Sequence, residues 1–199
     1  MPFEPATSRL ERLKGGLSTF SPNEAPEALS RLRQRFLTDP LFSEHVSLHE
    51  AGHIIYGMRL GGNVFEVRAP ETFNFGPGQV MVTGASIVPV TLMRRGNPEE
   101  KARYYAAGEV VSSISKLAFS DEVTGDHDFY QFVSEMRTRG MSDDAVGECW
   151  QKAINDIRYD LQKQQIEMNA RIMAREVEKK ILACLESSPP TDLMAESQS

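Results

Sequence analysis

The residues with the clearest capacity for chemistry are His49, Glu50 and His53, in the run His49-Glu50-Ala51-Gly52-His53. Histidines four apart on an α-helix stack one turn above each other, with Cβ atoms about 5–6 Å apart, so both imidazoles can reach one metal ion at bond lengths near 2.0–2.1 Å. Glu50 is offset by one residue, poorly placed as a ligand to that ion but able to lean over a metal-bound water. Zinc lowers the pKa of such a water to about 7, a carboxylate takes its proton, and the hydroxide attacks a carbonyl that the metal also polarises. The pattern therefore predicts hydrolysis of peptide bonds, with His49 and His53 as metal ligands and Glu50 as general base. The string alone arises by chance in on the order of one chain in a hundred of this length, so helical context carries much of its meaning. Two histidines satisfied inside a core are the competing structural explanation.

A catalytic zinc takes three protein ligands and keeps one position open for water. Cys149 and Cys184 have no neighbouring ligand pair and are poor donors. Asp128, in Val123-Thr124-Gly125-Asp126-His127-Asp128, is the first candidate because it stands near a helix start after a glycine. Asp126, His127 and Glu109 compete with it, and Asp126 and Asp128 also suit helix N-capping. His45 shares a face with His49, but three histidines on successive turns do not converge easily on one ion, so a supporting or surface role is expected.

These side chains need a scaffold. Leu48, Ala51, Ile55 and Met58 recur at helical spacing, and Gly61-Gly62 supplies a stop, which predicts a helix over 41–60. Asn63–Arg68 alternates as a strand, Phe73–Gly78 has the breakers of a turn, and Gln79–Gly84 predicts a second strand. Pro98–Glu100 has the composition of a helix first turn, with a helix continuing to Phe119. A third helix is expected over Asp126–Arg139, stopped at Gly140, and one or two long helices over Asp143–Leu185. Residues 1–40 are expected to form an arm with a short helix at 28–37, residues 41–186 the main domain, and 187–199 a flexible tail.

Composition narrows the function classes. The 199 residues carry a formal net charge of -6, which gives no general attraction to phosphates, so nucleic acid is not an expected partner. Two cysteines do not make a disulfide framework, and no stretch has the length or apolarity of a signal or a membrane span. A cytoplasmic protein that does not enter a membrane is the expectation.

The run Ser47-Leu48-His49-Glu50-Ala51-Gly52-His53, followed by strands, by Ala107-Gly108-Glu109-Val110-Val111, by Val123-Thr124-Gly125 with an aspartate, and by Gly140-Met141-Ser142, resembles the peptidase domain of FtsH-type zinc metalloproteases. The similarity spans about residues 41–185. It implies a predominantly helical α+β fold, with a zincin-like active-site helix, a small β-sheet and a C-terminal helical bundle. It also implies zinc held by His49, His53 and a later helical aspartate, which favours Asp128, with Glu50 as the base.

Departures are informative. The chain has no G-x-x-x-x-G-K-[ST] phosphate loop and no span, has Ala-Gly-Glu where the family usually carries a G-G-R-x-A-E-like helix, and is shorter by about one turn between Asp128 and Gly140. The expected substrates are therefore flexible peptides or exposed protein segments, cleaved without ATP, with a separate ATPase or regulator as an open partner. The expected place for an extended peptide is the edge of Gln79–Gly84 or Asn63–Arg68. Two other readings compete: a zinc-stabilised, non-catalytic binding or regulatory protein of the same fold, and a protease dedicated to one regulator. Oligomeric state is not legible.

Overall fold

The computed structural model describes residues 3–63, 65–89, 96–115, 125–163 and 166–187. Most of these are helical, with two small two-stranded sheets. The expected tail beyond residue 187, the expected helix end at Phe119, and Val123-Thr124 lie outside them.

The helix α3 (Pro40–Arg59) is central. Asp39 caps it, accepting from the backbone N–H of Leu41 and Phe42, and Pro40 sits where no N–H is needed. At its end Gly62 N–H reaches the Gly57 carbonyl and Gly61 N–H that of Met58, a double closure that requires the left-handed φ of +88° at Gly61. The expected single stripe is too narrow a description. Met58 is 53 % exposed, whereas Phe42, Val46, Leu48, Ala51, Ile54 and Tyr56 are buried on several sides. Two cores flank α3, so it is enclosed rather than amphipathic.

The larger core joins α3 to α4 (Pro98–Ser112), α5 (Asp126–Thr138) and α6 (Asp143–Lys163). Trp150 of α6 is fully buried there, with Phe129 and Phe132 of α5 at ring separations of 4.8 and 5.4 Å. The smaller core packs Phe36 of α2 (Ala25–Thr38) and Val177 and Ile181 of α7 (Ile166–Ser187) against the other side of α3. α4 begins with a reciprocal cap: Asn97 accepts from Glu100 N–H and Glu100 from Asn97 N–H. The region 143–185 resolves into two helices, α6 and α7, and α5 ends against Gly140 as expected.

The first helix, α1 (Ala6–Arg12), was not foreseen. Ala6, Arg9 and Leu10 lie on one face and are buried, two of them within the larger core, so the start of the 1–40 segment packs as part of the domain. No helix among the described residues is long and apolar enough to cross a membrane.

The sheet differs from expectation. β1 (Phe65–Arg68) pairs with β4 (Ser86–Pro89), and β2 (Glu71–Gly76) pairs with β3 (Gln79–Thr83), in two separate antiparallel ladders. Phe73 to Gly76, expected as a turn, is strand with a bulge, and the reversal is confined to Pro77-Gly78. Alternating aromatics favour extended backbone more strongly than one glycine disfavours it, and Gly78, at φ +69°, takes the turn.

Candidate metal centre

Helix α3 places His49 and His53 on one face, and their rings converge with centroids 4.8 Å apart. Their Nε2 atoms are 3.1 Å from each other. Asp128, third residue of α5, brings Oδ2 to 3.0 Å from His49 Nε2 and 3.2 Å from His53 Nε2. Three donors on a tetrahedron with bonds of 2.0–2.1 Å lie about 3.3 Å apart, so the spacing of this trio suits zinc. Two nitrogen donors and a carboxylate also match that ion's preferences, and these three residues are the group among the described residues able to hold a metal.

The opposite helix leaves room. A Cβ built on Gly108 of α4 would lie 2.5 Å from His49 Nε2 and 2.6 Å from His53 Nε2, so any side chain there would fill the space in front of the nitrogen lone pairs. Gly52, between the histidines, faces Ala107, where a Cβ would come within 2.7 Å of the carbonyl carbon. This glycine pair is what lets α3 and α4 approach closely enough for α4 to border the site.

Neighbouring groups fix the donors. His53 Nδ1 donates to the Tyr104 carbonyl at 2.9 Å, which leaves Nε2 as the lone-pair nitrogen for a metal. Burial disfavours a charged His53, but the Asp128 carboxylate outweighs it and raises the imidazole to about 9 in the metal-free protein. Burial likewise favours a protonated Asp128, and the His53 and His49 rings overcome this, holding the carboxyl well below the usual carboxylate range.

Glu50 is only 5 % exposed. Burial pushes its carboxyl up, offset in part by His49, His53 and the Ile87 backbone N–H of β4. A buried carboxyl with raised proton affinity beside these three donors is a group placed to exchange a proton with a water held there.

The competing acids are engaged elsewhere. Glu109 accepts from Arg9 Nη1 at 2.6 Å, and Asp126 accepts from Arg9 Nε at 2.8 Å and Arg12 Nη1 at 2.6 Å. Burial raises the Asp126 carboxyl, but Arg12 and Arg9 outweigh this and hold it below its ordinary value. Arg9 itself is buried, its guanidinium 5.0 Å from the Phe129 ring centroid. These arginines tie α1 to the start of α5 and so brace Asp128. His127 stays outside the trio, its Nε2 3.2 Å from the Gln131 amide. His45, expected as supporting or surface, is buried with Nδ1 2.8 Å from Ser115 Oγ, and burial lowers its pKa to about 4, so it is a neutral core histidine.

The trio and Glu50 open into a cleft of about 1200 Å³, bordered by Tyr104 and Tyr105 of α4, by the chain from Met81 to Ile87, and by residues ahead of α2. The side chains of His49 and Asp128 are 16 and 18 % exposed, so the donors can be reached from it. The structure brings His49, His53 and Asp128, all named from the sequence, to one point with Glu50 beside them, and adds the clearance at Gly108, the Tyr104 carbonyl, the Ile87 amide and the Arg9–Arg12 brace, which sequence reasoning missed. Gly108 left a trace in the Ala107-Gly108 pair; backbone groups and a cation 100 residues from Glu109 leave none. Compared with known proteins, the chain matches no family model, no curated protein and no solved structure.

Proposed function

We propose that this protein is a zinc-dependent endopeptidase, with a zincin-like active-site helix and a site of the FtsH-type peptidase kind. The observation that carries it is the convergence of His49 Nε2, His53 Nε2 and Asp128 Oδ2 within 3.0–3.2 Å, with the buried carboxylate of Glu50 one residue from the first ligand. Zinc bound to these atoms would supply an acidified water and a polarised substrate carbonyl.

Glu50 accepts the proton of the attacking water and delivers it to the departing amine nitrogen. Its burial raises its proton affinity above that of an ordinary carboxylate, which strengthens it as a base. Tyr104, through its carbonyl, holds the His53 ring in the orientation and tautomer that ligation needs. The cleft of about 1200 Å³ beside these residues is the place for the substrate, and the substrates are flexible peptides or exposed protein segments. A zinc-stabilised binding protein would leave the burial of Glu50 beside the trio without a purpose, since a structural zinc needs no base.

The test is metal analysis together with cleavage of unfolded casein by the wild type and by Glu50→Gln. One zinc per chain is expected in both, with activity lowered by about 10²- to 10⁴-fold in the variant. Equal turnover by the two proteins, or turnover indifferent to zinc removal, would refute the mechanism.

A further inference from the structure

Phe20 donates its N–H to the Val80 carbonyl at 2.7 Å and accepts from Val80 N–H at 2.8 Å, a single antiparallel bridge. Val80 belongs to β3, which pairs through its other edge with β2, so the segment carrying Phe20 lies on the edge that β2 leaves open. The same segment is anchored at its start. Arg12, at the end of α1, pairs at 2.6 Å with Asp126, two residues from Asp128.

From Arg12 to Phe20 the chain therefore runs from the ligand-bearing helix to the sheet. Leu17, Ser18 and Phe20 border the same cleft as His49, Glu50 and Asp128. Gly16, at φ +93° and ψ -179°, makes the turn that starts the crossing, a conformation open to glycine and disfavoured for other residues.

Strand geometry shows what this strap covers. In an antiparallel ladder a residue that exchanges both bonds with one neighbour turns away from the other, and the next residue facing the same way is two along. Val82 thus directs its N–H and C=O to the edge that Val80 uses, nearer the Gly84–Ile87 stretch that borders the site. Continuing the antiparallel register places Ser18 opposite Val82. A peptide lying along β3 in the cleft would need this same edge.

Resting on the hydrolytic reading above, we propose that the strap around Ser18 and Phe20 is a built-in occupant of the substrate edge. It holds β3 in the resting protein and leaves when an extended peptide replaces it. One bridge is a short pairing, which a substrate strand bonded to both Val80 and Val82 can outcompete, so the protein is latent rather than permanently blocked.

The experiment locks the strap in place. A bonded antiparallel pair has Cα atoms about 5.5 Å apart, within the range a disulfide spans. The double variant Phe20→Cys/Val80→Cys is prepared oxidised, with the 20–80 bridge checked by peptide mass mapping, and reduced with a phosphine. Casein cleavage and zinc content are measured in both forms. Binding of a fluorescein-labelled casein peptide is measured by anisotropy in the same pair carrying Glu50→Gln. The expected result is at least a tenfold loss of kcat/KM and of peptide affinity on oxidation, reversed by reduction, at constant zinc content. Equal cleavage and equal affinity in the two forms would overturn the strap. Peptide binding that follows the redox state without cleavage in any form would uphold the strap and overturn the hydrolytic reading alone.

Discussion

Replacing Gly108 with alanine separates the metal centre from the fold. The new methyl would lie 2.5–2.6 Å from the Nε2 atoms of His49 and His53. Ordinary carbon contacts are about 3.5 Å, so the rings must retreat by about 0.9 Å. That is close to half of a zinc–nitrogen bond of about 2.0–2.1 Å, and both nitrogens are affected at once. A loss of at least about 10³-fold in zinc affinity, about 4 kcal/mol, is the expected consequence. The fold is affected less. Alanine recovers about 1 kcal/mol of helix propensity over glycine, and the crowding, of about 1–3 kcal/mol, falls on side chains that can rotate. Net stability of the metal-free protein should stay within about 2 kcal/mol of wild type, a Tm change of at most about 8 °C at this size.

Gly52→Ala provides the contrast. Its methyl would meet the Ala107 carbonyl carbon at 2.7 Å, backbone that cannot rotate away, so α3 and α4 must part and open the core around Leu48 and Ala106. A loss of about 3 kcal/mol or more is expected, at the upper end of overpacking costs. The assays are zinc affinity by competition with a chromophoric chelator, and thermal unfolding by circular dichroism in EDTA. Wild-type zinc affinity in Gly108→Ala would refute the placement of the ion in front of these nitrogens, and an unperturbed Tm in Gly52→Ala would refute the close helix contact.

Two further outcomes follow from the charges around the site. Arg9→Met removes the buried cation shared by Glu109 and Asp126, and about 3–5 kcal/mol of stability should go with it, measured by urea unfolding; adding Glu109→Gln should restore part of the loss, and no recovery would count against the pairing. In the metal-free protein His53 titrates at about 9, raised above its ordinary value of 6.5. Its contribution to stability is therefore complete below 6.5 and fades as pH rises through 9. Zinc must displace that proton, so affinity should climb by about tenfold per pH unit between 7 and 9 and then level off, with about one proton released near neutrality by calorimetry in paired buffers. A pH-independent affinity over that window would exclude the His53–Asp128 pairing.

Much of the site was legible because a helix converts sequence spacing directly into spatial direction. A step of four residues from His49 to His53 is about one turn, and the apolar stripe and the Gly61-Gly62 stop place that turn within a helix. The start of α4, and the division of the chain after Gly140, were also written in a cap and a breaker. The strands were legible only in part. Asn63–Arg68 and Gln79–Gly84 alternate as strands do, but alternation says nothing about partners, and β1 takes Ser86–Pro89, a stretch with no strong pattern of its own.

What the sequence by itself determined is the local chemistry: two imidazoles on one face, a carboxylate beside the first, and a second acid at the head of a later helix. What only the tertiary structure decided is which acid meets the two histidines. Asp126, Asp128 and Glu109 are chemically alike along the chain, and it is Arg9 and Arg12, brought from α1 by packing of Ala6 and Leu10, that occupy Asp126 and Glu109 and leave Asp128 to the histidines. That pairing depends on distances between residues 75–117 apart in sequence, which are set by burial of apolar surface rather than by any local pattern.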